Sequence, residues 1–192
     1  MWFEEFGPHG ETANQFVAEN MPPIFVCPSA NRVGSEKEFK DYAMNGGGGQ
    51  NGVELSSCCP ERSIESNGIG FKNSEVDFGA ISDGTSNTVM FVEQDHSSEA
   101  SDMVGIPTNP FFWVDHNSEG LAMSHQISSG GAERQYPPNI VVDRLSCRTA
   151  RSDHPDGVFV ARCDGSSEFI AETIAVNPWN AMFSRNGGEI GR

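Results

Sequence analysis

Two residues near the carboxyl end have the types needed for proton transfer or metal ligation. They are His154 and Asp164, with nine residues between them and Gly165 directly after. A histidine and a carboxylate within hydrogen-bond reach make an acid–base pair or two ligands of a cation. The chain between them argues against both within one hairpin. Val158 to Cys163 has strand composition, and an extended chain rises about 3.3 Å per residue, which sets the two side chains roughly 20 Å apart. His154-Pro155-Asp156-Gly157 and Asp164-Gly165 are therefore predicted to be two turns bracketing a strand, without a site built on His154.

Three further polar residues stand out in a second block. Asp83, Asn87 and Glu93 surround the turn Asp83-Gly84 and the strand-like run Thr88 to Val92. Their hard oxygen atoms suit calcium, but the helix-loop-helix spacing of a calcium loop is absent, and capping of local turns is the favoured reading. Trp113, Asp115 and His116 lie in the densest aromatic cluster. An exposed Trp113 would stack on a sugar ring while its neighbours bond the hydroxyls; the other reading is that the cluster is core. The five histidines, His9, His96, His116, His125 and His154, form no His-Glu-x-x-His zinc motif, and no Gly-x-Ser-x-Gly nucleophile turn occurs. The expectation is a protein that is not an enzyme and has no cofactor, calcium being the one candidate ion.

The elements that must position these residues are sheet elements. Asp164-Gly165 separates Val158–Cys163 from Ser166–Ala171, and a two-residue turn there pairs Cys163 with Ser166, Val160 with Phe169 and Phe159 with Ile170. Both faces of that hairpin carry apolar groups, which predicts a central position in the sheet. Ile24 to Cys27 has the composition of a short buried strand. Asn177 and Pro178 form a helix start, and Trp179, Met182 and Phe183 fall at helical spacing for packing onto the sheet. Glu11 to Glu19 allows one short helix from a Thr12 cap. Residues 45–75 and 95–138 are rich in Gly, Ser and Pro and are predicted to be loop-rich insertions, with 140–142 returning to the sheet.

Composition bounds the rest. A chain of 192 residues fits a single domain, 1–192, with a substantial core. Only three leucines (Leu55, Leu121, Leu145) stand against 13 Phe and many Val and Ile, which favours strands over long helices. A net charge of -15 with 12 Lys and Arg argues against nucleic acid as a partner, since phosphate binding needs a basic face. The cysteines Cys27, Cys58, Cys59, Cys147 and Cys163 contain no Cys-x-x-Cys pair. Either Cys27 bridges to Cys58 or Cys59 and Cys147 to Cys163, or several are reduced and buried as small apolar residues.

The pattern His-x9-Asp-Gly at 154–165 has company along the chain. Phe25-Val26-Cys27-Pro28-Ser29, Tyr42-Ala43-Met44-Asn45-Gly46, Ile81-Ser82-Asp83-Gly84-Thr85-Ser86-Asn87-Thr88 with Glu93, and Ser184-Arg185-Asn186-Gly187-Gly188-Glu189 follow one another in order. Together they resemble the prepilin-type processing-associated His-x9-Asp-Gly proteins, a planctomycete-type family whose members look like pseudopilins. The resemblance implies an α+β, sheet-rich fold: a pseudopilin-like antiparallel sheet with short helices and long loops. It also implies a cell-envelope location, periplasmic or extracellular, and envelope partners, with assembly into an oligomer or filament of a secretion or pilus-like system. The alternative is an extracellular carbohydrate- or solute-binding module, calcium-stabilised or not. Proteins of that family begin with a long apolar helix, whereas this chain opens Met1-Trp2-Phe3-Glu4-Glu5 and holds no run of 18 apolar residues. Membrane attachment is expected only through such a helix, which is absent from this sequence.

Overall fold

The computed structural model describes residues 22–30, 40–47, 67–70, 74–94, 126–128, 137–139 and 150–188. Among these residues the strands are β1 (Tyr42–Gly47), β2 (Val89–Glu93), β3 (Gln126–Ser128), β4 (Gly157–Arg162) and β5 (Ser167–Ala171), and one α-helix, α1, covers Val176–Ala181. Among the described residues they make one sheet in the order β3-β1-β2-β4-β5. The four strands β1, β2, β4 and β5 are antiparallel, and β3 adds to β1 in parallel. The domain is sheet-rich with few short helices, as the Val, Ile and Phe content predicts.

The β4–β5 hairpin forms, but in a register one residue away from the expected one. Phe159 pairs with Phe169, Val158 with Ile170 and Val160 with Glu168. The connection has three residues: Gly165 N–H donates to the Arg162 carbonyl at 3.0 Å, and Arg162 N–H to the Ser166 carbonyl at 2.8 Å. Gly165 alone takes a left-handed φ, +85°. This is a turn closed by a glycine bulge, so Asp164 avoids the positive φ that a two-residue loop would impose on it. Its carboxylate accepts instead from Ser166 N–H at 2.9 Å and Ser166 Oγ at 2.6 Å.

A one-residue shift turns every side chain of a strand to the opposite face. Val158, Val160 and Ile170 now lie together in the core, while Phe159 and Phe169 meet edge to face on the other side, 5.0 Å between centroids and about two-fifths exposed. The directly opposed aromatic pair favours this register, worth up to about 1 kcal/mol. Of the two hairpin strands β4 is interior, and β5 closes one edge of the described sheet.

The core face carries Ala43, Val89, Val92, Val158, Val160 and Ile170, covered by Trp179 and Phe183 with rings 4.7 Å apart. The aromatic spacing therefore does pack α1 onto the sheet, although the helix begins at Val176 with Ala175 as its cap and no side-chain capping bond. Three other local expectations change. Pro23–Phe25 is a turn of 3-10 helix, since Pro22 and Pro23 remove two ladder donors. Asn45–Gly47 belongs to β1, and Ile69 and Gly70 N–H groups donate to the Asn45 carbonyl, which pins 67–70 against the strand. The stretch 95–138 contributes β3. The expected helix at 11–19, the returning strand at 140–142 and the aromatic cluster around Trp113 lie outside the described residues.

Gly165→Val tests the observed turn. Nothing stands within 4 Å of an added Cβ, so the cost is backbone strain alone, about 2 kcal/mol for a β-branched residue at this φ. The urea midpoint is expected to fall accordingly, with the denaturant slope unchanged.

Candidate functional site

The predicted polar residues do not gather where their sequence proximity suggested. Asp83 is buried, and its carboxylate accepts from Gly187 N–H at 2.7 Å and Gly188 N–H at 3.0 Å. Both of those partners are donors, which is the environment of an anion with its oxygens already engaged. Asn87 Nδ2 donates to the Asp83 carbonyl at 2.8 Å, and Gly84 takes the positive φ of the turn. Thr88 Oγ1 donates to the Gly84 and Ser184 carbonyls. Asn45 joins the same region: its Nδ2 donates to the carbonyls of Val89 and Phe183, and its Oδ1 accepts from Gly47 N–H. These side chains hold the start of β2, the end of β1 and residues 182–188 together.

Glu93 sits at the other end of β2 and has different company. The calcium grouping of Asp83, Asn87 and Glu93 is thus not assembled. Among the described residues, the one group of three ligand-type side chains within 4.8 Å of one another is Cys27, Glu93 and His154. Cys27 follows the 3-10 turn, Glu93 ends β2, and His154 lies in the turn that leads into β4. His154 Nε2 is 3.4 Å from Cys27 Sγ and 3.3 Å from Glu93 Oε1. Cys27 and Glu93 are buried and His154 is partly so.

Each of the three is held from behind. Cys27 N–H donates to Asp41 Oδ2 at 2.7 Å. Phe159 N–H donates to Glu93 Oε2 at 2.7 Å, which leaves Oε1 facing the histidine. His154 N–H donates to Ser152 Oγ, whose own hydroxyl donates to the Gly157 carbonyl. Asn139, at φ +61°, donates to that carbonyl as well and accepts from Ser152 N–H. The imidazole packs edge-on against Phe159 and Phe169, at 5.2 and 6.4 Å.

The electrostatics are those of a negative corner. Burial pushes the Cys27 thiol above its usual range, a Ser29 N–H pulls the other way, and the charges of Glu93 and Asp41 add to the rise. Tyr42, nearby, is pushed up to about 12, first by burial and then by Cys27, Glu93 and Asp41. A small open pocket lined by Cys27, Ala30, Asp41, Glu93, Arg151, Ser152 and Asp153 borders the cluster, with Arg151 the one cationic side chain among them.

Asp164 is elsewhere, on an exposed turn. Its carboxyl is held below the usual range by the Ser166 hydroxyl, then by the Ser166 N–H, with Arg162 contributing. His154 and Asp164 have separate partners, as the strand between them requires. His154 is nevertheless more than a corner, because its ring reaches two segments distant in sequence. Cys27 and Cys163 are both free and buried, which removes the expected bridges from each. Cys163 packs with Ile69 and Ile81, and burial followed by the Asp164 charge pushes its thiol up to about 11. Trp113, Asp115 and His116 lie outside the described residues.

Sequence reasoning missed the Cys27, Glu93, His154 cluster because no fixed spacing signals it. The three residues fall in three separate blocks, each beside a turn or a strand end. Among the described residues, no helix is long and apolar enough to cross a membrane. The family model described as Protein of unknown function (DUF1559), SBP_bac_10, matches residues 4–177. No curated protein and no solved structure matches the chain.

Proposed function

The chain belongs to the DUF1559 family, and on that premise we propose that it acts without catalysis, as the globular part of a pseudopilin-like protein of the cell envelope. Its partners are other pseudopilin-like or envelope proteins, or further copies of itself in a filament of a secretion or pilus-like system. One observation carries the reading. Asn45, Asp83 and Thr88 direct their side chains at backbone groups of neighbouring segments, and Asn87 caps its own turn. Polar groups engaged in this way fix loops onto a sheet and leave little for a substrate. An antiparallel sheet with one face under α1 and Phe183 suits a domain whose work is to be a rigid body in an assembly.

The test is incorporation of the full-length gene product in its source cells. Envelope shear fractions are cross-linked and probed for this chain. A ladder of cross-linked species that sediments with filament material is the expected result. A protein that remains monomeric in the soluble fraction would overturn the assembly role.

A further inference from the structure

We propose that Cys27, Glu93 and His154 form a binding site for a borderline divalent cation of the Zn2+ class, which clamps segment 22–30 to the end of β2 and to the turn before β4. This goes beyond the assembly role and does not depend on it.

The geometry points to a common centre and away from a proton relay. In a relay of thiol, imidazole and carboxylate, the thiol and the carboxylate address opposite ring nitrogens, so that one orients the proton delivered to the other. Here sulfur and carboxylate oxygen approach the same atom, Nε2, at 3.4 and 3.3 Å. A single ring nitrogen offers one proton or one lone pair, and serves only one of two such neighbours well. A cation set between the three atoms satisfies all of them.

The distances agree with that placement. Bonds of about 2.3 Å to sulfur and about 2.0–2.2 Å to nitrogen and oxygen, in a tetrahedron, give ligand-to-ligand edges of about 3.3–3.6 Å. Two of the three edges already have that length, and all three atoms lie within 4.8 Å.

The donor set selects the metal. One thiolate, one imidazole and one carboxylate suit Zn2+, whereas Ca2+ and Mg2+ take oxygen alone. The orienting bonds are those expected around ligands: Glu93 Oε2 is fixed by Phe159 N–H, and Cys27 is positioned through Asp41. The charges also fit. Asp41, Glu93 and Asp153 line the pocket together with one guanidinium, Arg151, and a divalent ion takes a cysteine ligand as its thiolate.

The test titrates the reduced, metal-stripped protein with Co2+ and then Zn2+. One equivalent of Co2+ is expected to produce a near-ultraviolet thiolate charge-transfer band, which one equivalent of Zn2+ removes. Zn2+ is expected to raise the melting temperature, and Ca2+ to leave it unchanged. Cys27→Ala and His154→Gln are each expected to weaken binding at least about 100-fold, beyond the usual loss from removing an orienting partner. Cys163→Ala is expected to keep wild-type affinity. His154→Gln retains Ser152 and Asn139, which hold the turn, and carries the test if Cys27→Ala does not fold. No band in the wild type, or a band of undiminished affinity in His154→Gln, would overturn the site.

Discussion

Gly157→Ala is expected to destabilise the domain by about 3 kcal/mol or more, the upper end of the cost of overpacking with backbone displacement. A Cβ at this position would stand 2.2 Å from the Ile170 carbonyl oxygen and 2.8 Å from the Phe169 ring. The ring can turn away. The carbonyl belongs to the paired strand β5, so β4 and β5 would have to part. Nor can Gly157 retreat, because its own carbonyl accepts from Ser152 Oγ and Asn139 Nδ2 on the other side. Chemical denaturation measures the loss, and a midpoint within experimental error of wild type would mean that the two strands are not this close. The same substitution should displace the His154 turn, so a surviving fold would show altered packing of that imidazole by NMR.

The second large effect is expected at Asp83. Asp83→Ala removes a buried carboxylate that accepts two backbone N–H groups, from Gly187 and Gly188. Hydrogen bonds to a charged acceptor contribute about 1.5–3 kcal/mol each, so a loss of about 3–6 kcal/mol is expected in the unfolding free energy. Asp83→Asn keeps the shape but replaces one acceptor with an NH2 group that faces an N–H. It should lose about half as much. If the two variants were equal to wild type, the carboxylate would not be what holds residues 184–188 on the β2 turn. Hydrogen exchange at Gly187 and Gly188 locates the effect: both amides should lose protection in Asp83→Ala while those of β4 keep theirs.

The register of the hairpin shows where local sequence signals end. Asp164-Gly165 is a turn signal, and a turn is there. Two-residue and three-residue loops both accept this pair, and they differ by one residue in what faces the core. That choice rests on whether Ile170 or Phe169 fits beneath Trp179 and Phe183, a question of volume on a surface built by distant strands. The same holds for 126–128, whose polar context gives no hint of pairing with β1, because an edge strand can be specified by its partner's free backbone groups.

What the sequence determined by itself is local: a sheet-rich class from many β-branched and aromatic residues and few leucines, turns at Asp83-Gly84 and His154 to Gly157, the strand after Thr88, and the aromatic spacing that packs α1. Each depends on backbone preferences or a short period within one segment. What only the tertiary structure decided is which segments meet. Cys27, Glu93 and His154 come together because β1 and β4 both pair with β2, which brings the turn at 27–30 and the turn before β4 to the same end of the sheet. Asp83 and Glu93 stand on one strand block yet serve opposite ends of it, since an extended strand carries its termini far apart. Convergence of that kind is set by sheet order, and a linear sequence without fixed ligand spacing does not encode it in any window short enough to read.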